Sequence, residues 1–398
     1  MTIEQLPLAR LHFDLQTLEA SPVPAYKGDV LRMALLWWLS EFWCPMPDRC
    51  RHGCRRPDVC TFGRLCQPAV DPAWSPKIRH LVGDTPPPAY ALWDLHDRRT
   101  YLDAGAAWGF ELRLVGELAL RQIPAIVAAV QQGAEQGMGR IRLRSRVRQV
   151  VALGCDSVVS ASPGAPACCL ATEQPLNGDV VLTWHSYHLD GVIIDYGQVS
   201  ASTQTWDGPV RALSLRYLSP VKIKERGEWV DLPTFSAVMR AVVRRLRILS
   251  QVHGAGEWPH AEFGPLLDLA ETVRLDHHET FWTGYARHSQ RGGRHDMEGF
   301  VGQAWYAGDD LRPLLPALCL GQWLHIGKGY VVGNGRYTIE SADRRIGESA
   351  SQRISESANQ YQPVVSSSHE SSMRKPALIY RIVTIRIHQR PMKQREKN

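Results

Sequence analysis

The segment Leu324 to Tyr337, L-H-I-G-K-G-Y-V-V-G-N-G-R-Y, constrains this chain more than any other, because Gly327, Gly329, Gly333 and Gly335 fall within nine residues. Glycine alone enters the left-handed backbone region freely and lets another backbone come close, so these residues must form a tightly folded loop. Lys328, Arg336 and the loop N–H groups supply anion donors beside those turns. Two familiar phosphate loops do not fit. The segment lacks the G-K-[ST] ending of an ATP-binding loop, and it runs into a strand-like stretch where a dinucleotide fingerprint opens a helix.

Hydrophobic periodicity sets the rest of the expected fold. Ala9, Leu11, Phe13 and Leu15 alternate with Arg10, His12, Asp14 and Gln16, the period of a half-buried strand. A helical run follows at Asp29–Phe42, then strands at Tyr90–Trp93 and Phe110–Val115, a helix at Ile123–Gln132 and another strand after Gly139. The order β-α-β-β-α-β is that of a ferredoxin-like unit. A second such order is expected from a strand at Val210–Leu218, a helix at Thr234–His253, strands near Phe300–Tyr306, a helix at Asp309–Leu320 and a last strand at Tyr337–Ile339. The fold class is therefore α+β, with tandem ferredoxin-like domains over residues 1–205 and 206–340. An extra hairpin is expected at Val180–Asp195.

The formal charge of +6 does not describe the folded part. Residues 341–398 carry 11 Lys or Arg against 5 Asp or Glu, so the remainder is neutral, and any nucleic-acid reading must rest on where the charges lie. With 10 serines and no tryptophan, this tail reads as disordered, apart from a strand-like alternation at Ala377–His388. The longest apolar run, Val30–Cys44, is interrupted by Arg32 and Glu41 and is too short to span a bilayer. No secretory signal is visible, and the expected location is the cytoplasm.

One charge pattern does point to a partner. Arg140, Arg142, Arg144, Arg146 and Arg148 alternate with Ile141, Leu143, Ser145 and Val147, so a strand there puts five guanidiniums on one face. Like charges on adjacent sites repel, and a row of arginines suits phosphates and splayed bases. A second basic segment, Tyr285–His295, contains Arg287, Arg291 and Arg294 around Gly292-Gly293 and reads as a flexible loop. Arg244, Arg245 and Arg247 read as the solvated face of a helix.

Several of these stretches together resemble the RAMP superfamily of CRISPR-associated proteins, most of all the Cas-six family of precursor-RNA endonucleases. The resemblance lies in Tyr217-Leu218-Ser219-Pro220 with Val221-Lys222-Ile223-Lys224, in the helix containing Arg244-Arg245-Leu246, in Tyr285 to Arg291 leading to Gly299-Phe300-Val301-Gly302, and in His325-Ile326-Gly327-Lys328-Gly329. Residues 1–205 match more loosely, through Tyr26-Lys27-Gly28-Asp29-Val30-Leu31-Arg32 and a cysteine-rich insertion. The resemblance implies metal-independent cleavage of CRISPR repeat RNA by the ribose 2′-hydroxyl, with no catalytic cofactor, and handover of the guide RNA to effector-complex subunits. It makes His325 the first catalytic candidate. Relatives often carry a histidine near the first helix, but Ser21–Phe42 contains none, leaving Tyr26 as a proton carrier and Lys27 as a cation. Gly327, Lys328, Gly329, Gly333, Gly335 and Arg336, with the two arginine segments, are the expected RNA contacts. The main alternative is a catalytically inactive RNA-binding subunit of an effector complex.

Cys44, Cys50, Cys54, Cys60 and Cys66 form a separate cluster, with five, three, five and five residues between them. No gap is the two-residue spacing of a common zinc knuckle. Cys44, Cys50, Cys54 and Cys60 are the candidate ligands of a structural zinc or iron–sulfur centre within an insertion at 44–66, with free cysteines as the competing reading. An insertion acting as the main nucleic-acid reader is a further rival. His277-His278, treated as adjacent helical residues, diverge and read as surface.

Overall fold

The structure is a computed structural model that describes residues 6–44, 60–139, 142–153, 167–176, 179–184, 208–225, 227–254, 260–289 and 293–341. The chain divides into two compact units, Met1–Gly347 and Glu348–Asn398, and all described residues belong to the first. The basic tail and its strand-like stretch lie outside the described residues.

Strand β1 (Leu8–Thr17) buries Ala9, Leu11, Phe13 and Leu15 on one face and turns Arg10, His12, Asp14 and Gln16 to the other, as the alternation requires. It pairs antiparallel on both sides. Helix α1 (Gly28–Trp43) follows it, with Leu31, Ala34, Leu35, Trp38 and Leu39 making one buried stripe. Then come β2 (Tyr90–Trp93), β3 (Ala107–Val115), α2 (Ile123–Gln136) and β4 (Ser145–Leu153). A hairpin of β5 (Ala167–Leu176) and β6 (Asp179–Trp184) extends the edge, giving the order β2-β3-β1-β4-β5-β6. The first four strands thus have the ferredoxin-like arrangement. In the centre Phe13 lies opposite Phe110 and Val150, and the two phenyl rings stack at 4.8 Å.

A second antiparallel sheet repeats that arrangement as β8-β9-β7-β10, built from β7 (Ala212–Val221), β8 (Arg274–Ser289), β9 (Gly293–Ala307) and β10 (Tyr337–Ser341). Helices α3 (Phe235–His253), α4 (His260–Thr272) and α5 (Leu315–Leu324) complete it. The Thr234 hydroxyl caps α3 by accepting the Ala237 N–H at 3.3 Å. Three buried tyrosines hold this core with satisfied hydroxyls. Tyr217 and Tyr306 bond each other at 2.8 Å, Tyr306 donates to Pro233 O at 2.8 Å, and Tyr337 donates to Leu318 O at 2.6 Å. Leu6, just ahead of β1, and Leu8 and Val115 of the first sheet pack into this second core, so the halves share apolar surface.

Several sequence expectations change. Of the basic segment expected as a loop, residues 285–289 and 293–295 lie on strands β8 and β9, which pair from Arg274 opposite Ala307 to Ser289 opposite Gly293 with one register shift between Leu275 and His277; residues 290–292 lie outside the described residues. His277 and His278 lie on β8, where alternation rather than helical spacing separates them. The last helix starts at Leu315, because Arg312–Leu314 forms a tight turn ahead of Pro316. The extra hairpin spans Ala167–Trp184, and residues 185–195 lie outside the described residues. Among the described residues no helix is long and apolar enough to cross a membrane.

Candidate functional site

The glycine-rich loop runs from α5 to β10 and is held mostly by its own backbone. Gly327, Gly329, Gly333 and Gly335 all have positive φ, and Gly329 and Gly333 bracket a single 3-10 turn at Tyr330–Val332. Its amides are largely spoken for. Ile326 N donates to Gly335 O at 2.8 Å, Lys328 N to Lys222 O at 3.0 Å, Asn334 N to Gly329 O at 3.1 Å, Gly335 N to Pro220 O at 3.0 Å and Arg336 N to the Ser219 hydroxyl at 3.0 Å. The glycines therefore serve close packing first, and the exposed Lys328 ammonium carries the loop's charge to solvent. The turn also docks on the other half of the molecule. A methyl on Gly28, at the start of α1, would collide with the Val332 carbonyl.

His325 lies beneath this loop and is fully buried. Its imidazole Nε2 meets the Arg113 guanidinium of β3, while Nδ1 has no partner. Burial first, then Arg113, Arg336 and Arg245, holds it neutral, well below the usual histidine range. Around it Arg336 stacks on Trp93 and Arg245 on Tyr330, both at less than a tenth exposed, with Glu111 as a nearby carboxylate. His325 thus lies in the interior, between β3 and the glycine-rich loop. Arg336 is buried with it, and so is Arg245, which corrects the expectation that Arg245 lies on a solvated face.

A different group opens to solvent where α1, β2 and the β8–β9 hairpin meet. The ring of Tyr26, 39% exposed, stacks on Tyr285 at 4.1 Å with an 11° interplanar angle. The Arg98 guanidinium lies 4.5 Å from the centre of the Tyr26 ring and donates to Asp94 Oδ2 at 2.9 Å. Tyr285 donates to Asn334 Oδ1 of the glycine-rich loop at 3.1 Å. His96 completes the group, its Nδ1 accepting from Arg98 at 3.2 Å and its Nε2 lacking a partner. Burial, then Arg336 and Arg98, lowers its pKa to about 4. Lys27 turns inward instead: its ammonium donates to Asp97 O at 2.7 Å and Arg99 O at 2.8 Å, and so fixes the turn that carries His96 and Arg98. The sequence reading missed His96 and Arg98, although the run Asp94-Leu95-His96-Asp97-Arg98-Arg99 directly after a strand marked a charged turn.

The arginine row does not form as one face. Arg140 lies outside the described residues, Arg142 occupies a turn at φ +48°, and Arg144 donates to Glu135 O at 3.0 Å. Only Arg146 and Arg148 are on β4, and a register shift against β1 interrupts the alternation beside Arg148. Arg148 lines an open cleft of about 520 Å³ with Asp14, Gln16, Asp97, Arg99 and Trp108. Arg287 is on β8, and Arg291 lies outside the described residues.

Of the cysteine cluster, Cys50 and Cys54 lie outside the described residues. Cys60 Sγ is 3.8 Å from the carbonyl of Trp43, the neighbour of Cys44, so the ends of this insertion meet. Cys66 is buried, and burial followed by Cys60 pushes its thiol pKa up. Among the described residues no three ligating side chains form a metal site.

Residues 215–337 match the family model of the CRISPR-associated endoribonuclease Cas6, and residues 6–163 match a model described as an N-terminal domain. No curated protein sequence matches this chain. Among solved structures, a partial Cas6-RT-Cas1–Cas2 complex superposes with TM-score 0.48 at 12% identity over 85% of this chain and 47% of that one, so this chain spans about half its length. A Cas6 product complex gives 0.46 at 12% identity over 84% and 99%. Thermus thermophilus Cas6 gives 0.44 at 11% identity over 84% and 98%.

Proposed function

We propose, from the match of residues 215–337 to the Cas6 family model, that the chain is a Cas6-type protein that binds CRISPR repeat RNA and cuts precursor RNA into guides without a metal ion. The carrying observation is that the matched segment, 215–337, contains the glycine-rich loop together with Tyr285. In the proposed reaction the ribose 2′-hydroxyl attacks the adjacent phosphorus. The P–O5′ bond breaks, leaving a 2′,3′-cyclic phosphate and a 5′-hydroxyl. Such a step needs a proton carrier and a cation near the phosphate. Tyr26, exposed and held in orientation by Tyr285, is the proton carrier in this reading, and Arg98 is the cation. Lys27 positions the Arg98 turn. Lys328, Arg146 and Arg148 contact the RNA backbone.

The test is incubation with the repeat RNA of the associated CRISPR array in excess EDTA, followed by end-group analysis. Cyclic-phosphate product from the wild type, lost in Tyr26→Phe and kept in folded His325→Ala, is the expected result. The second reading is an RNA-binding effector subunit without activity, favoured by the burial of His325. Tight binding with no cut supports it. Guide RNA and effector subunits are the proposed partners, two ferredoxin-like domains dividing near residue 205 the proposed organisation, and the cytoplasm the proposed location. A structural zinc or iron–sulfur centre on Cys44, Cys50, Cys54 and Cys60 is tested by metal analysis of the purified protein and of the four-serine variant.

A further inference from the structure

Three lysines converge on one half-exposed indole, and of this group only Lys328 enters the chemistry proposed above. The strand pair Lys224–Glu225 and Glu228–Trp229 follows β7, with Lys224 opposite Trp229 and Val230 N donating to Ile223 O at 3.1 Å. Trp229 is 37% exposed. The ammonium groups of Lys224, Lys222 and Lys328 lie 4.5, 4.6 and 5.0 Å from its ring centre. A second indole, Trp282 on β8, is 41% exposed and lies 5.9 Å from the same Lys222 ammonium. Glu298 fixes both, accepting from Lys222 at 2.5 Å and from Trp282 Nε1 at 3.4 Å.

The charges do not balance. Glu298 is taken by Lys222, Glu225 lies 3.5 Å from Arg240, and Glu228 pairs opposite Glu225 rather than Lys224. A single ammonium over an indole is an ordinary surface contact. Three around one ring repel one another, and they gain from an anion placed among them. The exposed indole faces meanwhile suit a flat π-system. One ligand supplies both: a nucleotide, with its base on an indole and its phosphates between ammoniums.

We propose that Trp229, with Trp282, Lys224 and Lys328, forms a stacking platform for an unpaired nucleotide of the bound RNA. The inference rests on the proposed RNA-binding function and extends it to an unassigned subsite. Lys328 belongs to the glycine-rich loop, so the platform is continuous with that loop and places single-stranded RNA on the outer side of the second sheet. Base stacking on aromatic rings is tolerant of sequence, so the platform holds a flank and does not read it.

The experiment compares Trp229→Ala, Trp229→Phe and Lys224→Ala in the full chain. Two RNAs are used: the repeat hairpin with its unpaired flanks and the same hairpin trimmed to a blunt stem. Trp229→Ala is expected to weaken the flanked RNA by about ten- to a hundredfold and leave the blunt stem unchanged. Trp229→Phe retains most of the affinity, and Lys224→Ala reduces the salt slope by about one. Equal affinities of Trp229→Ala and wild type for the flanked RNA, or an equal loss on both RNAs, overturn the platform. The two readings fail separately. If wild type shows no preference for the repeat yet binds oligouridylate through Trp229, repeat processing falls and the platform stands. If repeat RNA is bound and cut without help from Trp229, the platform falls alone. Failure to bind any RNA, with capture of an acidic peptide at Trp229, rejects both.

Discussion

Two clusters flank the glycine-rich loop with nearly the same chemistry and opposite access. Each has a histidine, at least one arginine and two aromatic rings, with a guanidinium over a ring in both. Beneath the loop, His325, Arg113, Arg245 and Arg336 are buried, with Trp93 and Tyr330 as their rings. Beside it, Tyr26, Tyr285 and Arg98 reach solvent around a half-buried His96. The difference shows that residue type next to a ligand-suited loop does not define a site. The buried group joins β3 to the loop and so couples the two sheets, whereas the open group keeps an oriented phenol and a guanidinium available. Trp93 belongs to both, with Arg336 over its ring and His96 against its edge at 5.6 Å.

The largest effect should come from breaking the docking on which both clusters depend. Gly28→Ala drives a methyl into the Val332 carbonyl, a backbone atom that moves only if the loop shifts. A loss of about 3 kcal/mol or more is expected by denaturant titration. Gly208→Ala is the control, since its left-handed φ of +82° is strained but a methyl there meets nothing within 4 Å. Its cost should stay near 1 kcal/mol, the ordinary scale of backbone strain. Equal losses in both variants would show that the docking contributes nothing.

Next in size is the separation of activity from stability. Tyr26→Phe keeps the stacked ring and removes only the hydroxyl, so cleavage should fall about a hundredfold or more while the unfolding midpoint stays put. His325→Ala should do the reverse, with about 2–4 kcal/mol of stability lost and cleavage per folded molecule retained. Midpoints from thermal unfolding and single-turnover rates on the repeat RNA decide it. If both variants lose activity at unchanged stability, His325 is catalytic and the buried reading is wrong.

Titration sharpens the comparison further. His96 and His253 stay neutral down to about pH 4, chiefly through burial, so between about 6.5 and 4 the unfolded chain takes up protons that the native one does not. Stability is lost as pH falls through that window. His12 behaves oppositely. Burial lowers its pKa, but hydrogen bonds and charge from Asp14 and Glu111 outweigh it and raise the value to about 9. Its contribution is complete below about 6.5 and is lost as pH rises toward 9. The stability curve should peak near pH 6.5, and His12→Gln should flatten only its alkaline limb, by about 1–2 kcal/mol after solvent screening. An alkaline limb that survives in this variant would assign the loss to another group.

How much of this was legible in the sequence depends on range. The alternation of β1 and the apolar stripes of α1 and α3 are local patterns, and they placed both ferredoxin-like orders. Alternation could not say where a strand begins. The arginines at 142 and 144 share the period of Arg146 and Arg148, yet Gly137, Gly139 and the left-handed Arg142 hold them in a turn. His325 drew attention by its place before the glycines, while its apolar neighbours Trp323, Leu324 and Ile326 were the better guide to its burial. His96 was missed because part of its surroundings is non-local: Trp93 is three residues away, but Arg336 meets it only when the loop docks across the two sheets. The pairing of Tyr26 with Tyr285, 259 positions apart, was equally invisible.

The smallest expected effect is also the most discriminating. Arg98 is 37% exposed at its side chain, and its ion pair with Asp94 and its contact with the Tyr26 ring should together contribute about 1 kcal/mol or less to stability. Arg98→Met keeps much of the stem and removes the charge, so a thermal scan should scarcely register it. A cation that meets the phosphate only as negative charge builds in the transition state has a different signature: kcat falls, by about tenfold or more, while RNA affinity changes little. Loss of affinity with an unchanged cleavage rate would make Arg98 a binding residue. Loss of neither would place the cation elsewhere, with Lys328 next in line because it is the exposed charge of the loop that separates the two clusters.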